Sequence, residues 1–346
     1  MRDLGCVVHV HSVHSDGTGT VAEIARAAAR AGADAVLLTD HDTLTARWRR
    51  EDGWLDGVLV VTGHEISPRG RDHMLAFGID EVVRHDGRDA RAVADAVRDL
   101  DGLGVAAHPW SARNPHLQRW KLGGMPFGDL SCVDAVELWS IVTDSAEQIG
   151  SLAQVAGFIC APDRWLTHPP GQRMAAYDAL TAERRVVAIG GLDAHQVGVR
   201  AGPWVPFRLM SYERTFRLLR TRVLLDDGVE VTERTIVAAL RAGHCYLARD
   251  SLAPAQGFAL WAQAGDGRVV ARTGDEEAYA EGLTLHARLP RPATIVVRRN
   301  GAEVARMESA VVGQPIDGPG AWRVEATLPL GGRRRTWIVA NPVYLR

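Results

Sequence analysis

Short apolar segments rich in β-branched residues recur along the chain from residue 6 to residue 195, and polar residues directly follow each one. The first, residues 6–10, leads through His9 and His11 to Asp16, and the second, residues 33–39, ends at His41. Alanine-rich segments such as residues 21–31, preceded by Thr20, have helical composition and separate them. Strands that alternate with helices form parallel βαβ units. The pattern predicts an α/β barrel of roughly seven strands.

Further segments of this kind end at residues that can bind a metal. Residues 58–62 lead to Glu65, and residues 104–107 run into His108. His73 stands before the apolar residues 74–79, and residues 186–191 lead to Asp193 and His195. Barrel enzymes place their chemistry beyond the carboxyl ends of parallel strands, so these side chains are expected to converge.

The spacing of these residues predicts a metal site. Successive strand residues point to opposite faces, so His9 and His11 should project together, about 7 Å apart, as should Asp193 and His195. A single histidine at a strand end is usually a loop or core residue. Six histidines and three carboxylates at successive strand ends form a ligand set that suits zinc, manganese or iron, and a glutamate can bridge two ions.

Composition narrows the choice of partners. The chain has 346 residues and a net charge of -2, which gives no basic face for duplex nucleic acid. Its four cysteines show no CxxC spacing, and no apolar run reaches the roughly 20 residues of a membrane span. We therefore expect a cytoplasmic protein that acts on a small molecule, with Arg113, Arg164 and Arg200 as candidates to bind an anionic substrate. The sequence leaves the oligomeric state open.

The C-terminal part has a different sequence pattern. Residues 212–219 and 232–242 have helical patterns, and from about residue 255 short alternating segments follow one another between Gly, Pro and Asn turns. Such segments predict an antiparallel β-sandwich of roughly 90 residues. The expected domains are a metal-binding barrel over residues 1–250 and a sandwich over residues 251–346.

Six motifs in order resemble the PHP superfamily, named for polymerase and histidinol phosphatase. They are His9-Val-His11-Ser-x-x-Ser-Asp16-Gly, Thr39-Asp-His41-Asp-Thr, Gly-x-Glu65, His73-x-Leu, Ala-His108-Pro and Asp193-Ala-His195. The resemblance implies a distorted (β/α)7 barrel with two or three divalent metal ions. It also implies a ligand set for each ion: His9, His11, Glu65 and Asp193 for the first; Glu65, His73 and His108 for the second; Asp16, His41 and His195 for the third.

The resemblance further implies a metal-dependent hydrolase, with phosphoester cleavage by a hydroxide that bridges two ions, and Asp193 and His195 as candidate proton carriers. Segments at residues 241–246, 253–258 and 337–344 are similar to carbaryl-hydrolase-like metallohydrolases, which keeps carbamate or amide cleavage open. Trp110, Trp139 and Trp204 are candidates for either the core or an aromatic rim of the substrate cleft. A third reading is a non-catalytic binding protein that keeps the metal site.

Overall fold

Regular strands occupy the apolar segments between residues 6 and 195. The structure, a computed structural model, describes residues 1–112, 124–166, 168–196, 198–202, 204–208 and 210–346. It is a mixed α/β fold with a large sheet. Its first twelve strands are β1 (Arg2–Val10), β2 (Ala35–His41), β3 (Gly53–Leu55), β4 (Val58–Ile66), β5 (Met74–Phe77), β6 (Leu103–Ala106), β7 (Ala135–Ser140), β8 (Val187–Gly191), β9 (Gly198–Ala201), β10 (Trp204–Arg208), β11 (Arg220–Leu225) and β12 (Cys245–Ala248).

The helices lie between these strands. They are α1 (Val21–Ala31), α2 (Thr45–Trp48), α3 (Ala90–Asp99), α4 (Ile141–Gln148), α5 (Leu152–Cys160), α6 (Pro162–Trp165), α7 (Gly171–Glu183), α8 (Tyr212–Thr215) and α9 (Glu233–Ala242). Helix α1 begins as its composition predicts, because Thr20 and Glu23 form a reciprocal capping box. The helix predicted over residues 212–219 is wrong in length, since α8 is a single turn ending at Thr215.

The strands of the first part pair in both directions, and four of their described pairings are parallel. Strand β1 pairs with β2, β2 with β4, β6 with β7, and β7 with β8 in this way. The expectation of parallel units throughout is wrong at β5, which is antiparallel to both β4 and β6. The connection from Ile66 to Met74 is too short for the crossover that a parallel neighbour requires.

Residues just after β8 bond back to β1. The Leu192 N–H donates to Val8 O (3.0 Å), the Ala194 N–H donates to His9 O (3.1 Å), and the His11 N–H donates to Ala194 O (3.0 Å). The segments that hold the first and last predicted ligands are therefore direct neighbours. Strand β4 is buried along its whole length, and β1 is buried from Leu4 onward, as expected of strands covered on both faces.

Eight strands form the C-terminal part. They are β13 (Ala259–Gln263), β14 (Val269–Arg272), β15 (Glu276–Glu277), β16 (Thr284–Arg299), β17 (Ala302–Pro315), β18 (Gly320–Leu330), β19 (Arg333–Ala340) and β20 (Val343–Leu345). Strand β16 with 16 residues and β17 with 14 are longer than the short segments expected from the sequence. Most of their pairings are antiparallel, and β19 pairs with β12, which joins this part to the large sheet. Within the described ranges, no helix has the length and apolar character needed to cross a membrane.

Candidate metal centre

The nine predicted ligands converge around Glu65 in β4. This side chain is almost completely buried, and five imidazole nitrogens lie within 3.4 Å of its two carboxylate oxygens. Oε1 faces His73 Nδ1 (2.8 Å) and His108 Nε2 (3.3 Å), and Oε2 faces His9 Nε2 (3.3 Å), His11 Nε2 (3.4 Å) and His41 Nδ1 (3.2 Å). One carboxylate thus stands at the middle of the whole set, in the position that a bridging ligand requires.

Two aspartates complete the centre from different directions. Asp193 Oδ1 lies 3.5 Å from Nε2 of both His9 and His11 and 3.6 Å from His195 Nδ1. The other oxygen of Asp193 accepts a hydrogen bond from Thr143 Oγ1 at 2.6 Å. Asp193 is therefore fixed on one side and free to face the imidazoles on the other.

Asp16 lies at the exposed side of the centre. Its Oδ1 is 3.1 Å from His195 Nε2, 3.6 Å from His41 Nε2 and 3.8 Å from His11 Nδ1. The side chain of Asp16 is 59% exposed, whereas those of His11 and Glu65 are buried. The centre is thus open to solvent at Asp16 and closed at Glu65.

Three groups of these residues have ligand atoms close enough to hold a cation. They are His11, Asp16, His41 and His195; His9, His11 and Asp193; and His9, Glu65 and His108. The groups resemble the three ligand sets expected from the motifs, but they share their members differently. His9 and His11 each belong to two groups, Glu65 is not in the group of His9, His11 and Asp193, and His73 faces Glu65 without joining a group.

Three of the nine residues have a left-handed backbone conformation. The φ angles are 66° at His9, 30° at His108 and 52° at Asp193. The register of β1 against β2 also shifts between Val8 and Val10. The rings of His9 and His11 do meet, with centroids 5.2 Å apart, but a local kink contributes to this rather than regular strand alternation alone. Such strain is typical of functional sites.

Glu137 in β7 was not among the predicted site residues, although it lies at the end of a buried apolar segment like the others. Its Oε1 is 3.0 Å from His9 Nδ1, and its Oε2 accepts the His108 backbone N–H at 2.7 Å. A Cβ at Gly191 would lie 1.7 Å from Oε1, so a glycine is needed there. A carboxylate that receives the second nitrogen of a histidine sets the ring orientation and the tautomer.

The aspartates beside His41 bond to neighbouring loops, and Asp42 also lies 3.6 Å from His85 Nε2. Asp40 accepts hydrogen bonds from the Ser12 N–H (2.7 Å) and from Ser15 Oγ (2.6 Å), and so it shapes the loop that carries Asp16. Asp42 accepts the backbone N–H of Ser67, whose hydroxyl lies 2.6 Å from His41 Nδ1.

The buried acidic side chains and imidazoles of the centre shift one another's pKa values. Burial opposes the ionised form of Glu65, but His9 and His108 outweigh it and hold the pKa of the carboxyl well below its usual range. Burial also opposes charge on His9, yet Glu137 and Glu65 raise its pKa well above the ordinary value. The pKa of His11 falls to about 4, because of burial and the neighbouring His195. His11 is therefore neutral near pH 7, the form in which a histidine binds a metal.

The residues present fit a divalent metal. Both ring nitrogens of His11 and Nδ1 of His108 are buried without a hydrogen-bond partner among the described residues. Buried polar atoms are normally paired, so unpaired nitrogens within this cluster of candidate ligands fit the binding of a cation. The set contains imidazoles and carboxylates but no thiolate, a mixture that suits zinc, manganese and iron.

The other predicted substrate contacts divide into core residues and residues outside the described part. Trp139 is 1% exposed and lies in the core, with Trp110 packed against the same cluster. Trp204 and Arg200 belong to strands whose side chains are outside the described set, as is the side chain of Arg164. Arg113 lies outside the described residues altogether.

Comparison with known proteins gives local sequence similarity. No protein-family model matches the chain. A curated relative, phosphoribosyl 1,2-cyclic phosphate 1,2-diphosphodiesterase of Eggerthella lenta, is 43% identical over 82 residues. The match covers 21% of this chain and 30% of the relative, so less than a third of that protein's length is matched. This local match to a phosphodiesterase agrees with the phosphoester cleavage expected from the motifs. The looser similarity to carbaryl-hydrolase-like enzymes stays a prediction.

Solved structures resemble the chain more distantly. A two-domain protein from Bacteroides vulgatus, described as containing a predicted PHP-like metal-dependent phosphoesterase, is 16% identical with a TM-score of 0.42 and covers 99% of this chain and 95% of its own. PsfC from Pseudomonas syringae is 14% identical with a TM-score of 0.41, over 70% of this chain and 90% of its own. Similarity at this level carries no statement about activity.

Proposed function

We propose that this chain is a metal-dependent phosphoesterase that hydrolyses a small phosphorylated, anionic substrate. The observation that carries the proposal is the Glu65 carboxylate, buried at the centre of five imidazole nitrogens within 3.4 Å. A buried carboxylate that faces this many imidazoles can bridge two metal ions of one centre, and two-metal sites are common in phosphatases. The local identity to a phosphodiesterase supports the reaction class.

Two or three divalent ions are proposed, of zinc, manganese or iron. His9, His11, Glu65 and Asp193 would hold one, Glu65, His73 and His108 a second, and Asp16, His41 and His195 a third. Bound ions would supply Lewis acidity and lower the pKa of water from about 16 towards about 7. The intact ligand set favours this reading over a non-catalytic binding protein, which has no need of all nine residues.

Differences in exposure suggest how the protein's own residues act on a substrate. The side chains of Asp16 (59%), His41 (30%) and His195 (21%) are the open edge of the centre, and Glu65 (1%) is its closed floor. A substrate would approach from the open edge. Asp193, held by Thr143, and His195 are proposed to carry a proton during hydrolysis, because His195 belongs to the open edge and its Nδ1 lies 3.6 Å from Asp193 Oδ1.

We also propose the finer architecture that the motifs imply. The first domain, residues 1–250, would be a distorted (β/α)7 barrel, and the backbone bonds from Leu192 and Ala194 to β1 support closure. Residues 251–346 would form an antiparallel β-sandwich, supported by a separate apolar cluster that includes Leu285, Val324 and Trp337. The cytoplasmic location stays a prediction.

A substrate panel tests the proposed activity. The purified protein, loaded separately with Mn²⁺, Zn²⁺ or Fe²⁺, is assayed on p-nitrophenyl phosphate, bis-p-nitrophenyl phosphate and an aryl carbamate. We expect phosphoester turnover that chelation abolishes and metal restores. Glu65→Gln should lose it. The control Glu325→Gln should keep it, because Glu325 is a partly buried glutamate of β18 that pairs with Arg298 and Arg323. Turnover of the carbamate alone would favour the second reaction class, and metal binding without any turnover would favour a binding protein.

A further inference from the structure

His11 is held differently from the other imidazoles of the centre. Nδ1 of His9 is fixed by Glu137 and Nδ1 of His41 by Ser67. Neither ring nitrogen of His11 has a hydrogen-bond partner in the described part of the chain. The orientation of this ring towards a metal is consequently set by its packing and its backbone.

The backbone of His11 is tied at both its polar groups. Its N–H donates to Ala194 O at 3.0 Å, and its carbonyl accepts from the Tyr212 hydroxyl at 2.7 Å. The same hydroxyl lies 3.1 Å from the carbonyl of His195, which already accepts the Thr18 N–H at 3.1 Å. The phenol therefore joins the backbones of two candidate ligands that lie 184 positions apart in the chain, as counted from their numbers.

Tyr212 is itself rigidly placed. It is the first residue of α8 and 2% exposed, and the Gly19 N–H donates to its hydroxyl at 3.3 Å. The ring passes between two glycines of the Asp16 loop: a Cβ at Gly17 would lie 2.8 Å from the hydroxyl, and one at Gly19 would lie 2.5 Å from Cε2. These two glycines leave the space that the phenol fills.

We propose that Tyr212 is a positioning residue that sets the distance between His11 and His195 and so tunes the affinity of the ions bound by the His11 groups. This rests on the proposed metal centre. His11 belongs to two of the three groups, whereas the His9, Glu65 and His108 group contains no residue that Tyr212 contacts. Loss of the hydroxyl should lower the affinity for ions bound by the two groups that contain His11. The affinity of the His9, Glu65 and His108 group should stay unchanged.

The experiment compares Tyr212→Phe with Tyr177→Phe. Tyr177 is equally buried, and its hydroxyl contacts Val186 O (3.2 Å) and Asn341 Oδ1 (3.0 Å), away from the centre. Metal stoichiometry is measured by elemental analysis after dialysis, and Mn²⁺ affinity by calorimetric titration. Tyr212→Phe should lose at least one ion, or bind it about tenfold more weakly, as is typical when a group that orients a ligand is removed. Tyr177→Phe should keep the wild-type stoichiometry and affinity.

A second variant covers poor folding of the first. Gly19→Ala keeps the Tyr212 hydroxyl group, but the added Cβ would displace the ring. This variant should therefore lower the affinity for the same ions. Wild-type metal binding in both Tyr212→Phe and Gly19→Ala, or equal losses in Tyr177→Phe, would overturn the inference, as would a wild-type protein that binds no ion. A wild-type protein that binds ions and responds as described, but cleaves no phosphoester, would contradict the proposed function alone.

Discussion

Replacing Glu137 by glutamine should weaken metal binding, although Glu137 belongs to none of the three groups of candidate ligands. The carboxylate accepts two hydrogen bonds in a fully buried place, from His9 Nδ1 (3.0 Å) and from the His108 backbone N–H (2.7 Å). Glutamine has nearly the same shape but offers one acceptor and one donor group. It can satisfy one of the two partners and must present an N–H to the other.

Either orientation of the glutamine has a cost. If its N–H₂ faces the His108 N–H, two donors oppose each other and a buried donor is left unpaired, which costs about 1–3 kcal/mol. If the glutamine N–H₂ faces His9 Nδ1 instead, Nδ1 must accept the hydrogen bond. The ring proton then moves to Nε2, the nitrogen directed at Glu65 and Asp193. A protonated Nε2 cannot bind a cation. Removal of such an orienting carboxylate lowers metal affinity by about 10–100-fold, which is about 1.4–2.8 kcal/mol.

Calorimetric Mn²⁺ titration of Glu137→Gln measures this loss, with urea unfolding of the metal-free protein measured alongside. Glu325→Gln is the matched control, since Glu325 accepts from Arg298 Nε (2.8 Å) and Arg323 Nη1 (2.6 Å) far from the centre. The control should lose stability and keep its metal affinity. Wild-type affinity in Glu137→Gln would refute the argument that Glu137 controls the tautomer of His9.

Three other changes test separate parts of the centre. Asp16→Ala should lower the number of bound ions by one, counted by elemental analysis, and leave the ion near His9 in place; loss of every ion would contradict the division into sites. Gly191→Ala places a Cβ 1.7 Å from Glu137 Oε1 and should lower the free energy of unfolding in urea by about 1–3 kcal/mol. An unchanged urea midpoint would contradict the need for glycine at this position. Thr143→Val removes the donor to Asp193 and should reduce kcat about tenfold without loss of fold by circular dichroism, because hydrogen bonds to charged groups contribute about 1.5–3 kcal/mol; an unchanged kcat would show that Asp193 needs no such support.

Much of the centre could be predicted from the sequence because its ligands follow strands that periodicity detects. His9, His41, Glu65 and His195 all stand at or just beyond strand ends, and topology brings those ends together. The start of α1 after Thr20 could also be predicted, because the side chains of its capping box, Thr20 and Glu23, lie within four residues of each other in the chain. Local signals of this kind need no knowledge of distant contacts.

Glu137, Thr143 and Tyr212 escaped prediction for the opposite reason. Each acts on a residue far away in the chain: Glu137 on His9, Thr143 on Asp193, Tyr212 on His11. Residue type alone does not separate an orienting carboxylate or hydroxyl from an ordinary core or surface group. The antiparallel placement of β5 was not predicted, although the short connection from Ile66 to Met74 excludes a parallel crossover.

The kinked backbone shows that regular strand alternation alone does not bring the rings of His9 and His11 together. A regular strand end would have no need of the left-handed φ angles at His9, His108 and Asp193. Histidine and aspartate are among the non-glycine residues most often found there, so the residue types that bind metals also tolerate the conformation that aims them. A left-handed residue still costs about 1–2 kcal/mol, and the strain persists because Glu137, Thr143 and the Leu192 and Ala194 backbone bonds hold these residues in place. The orienting contacts are therefore as much a part of the centre as the ligands, and removing one should release the strained backbone before it affects the fold.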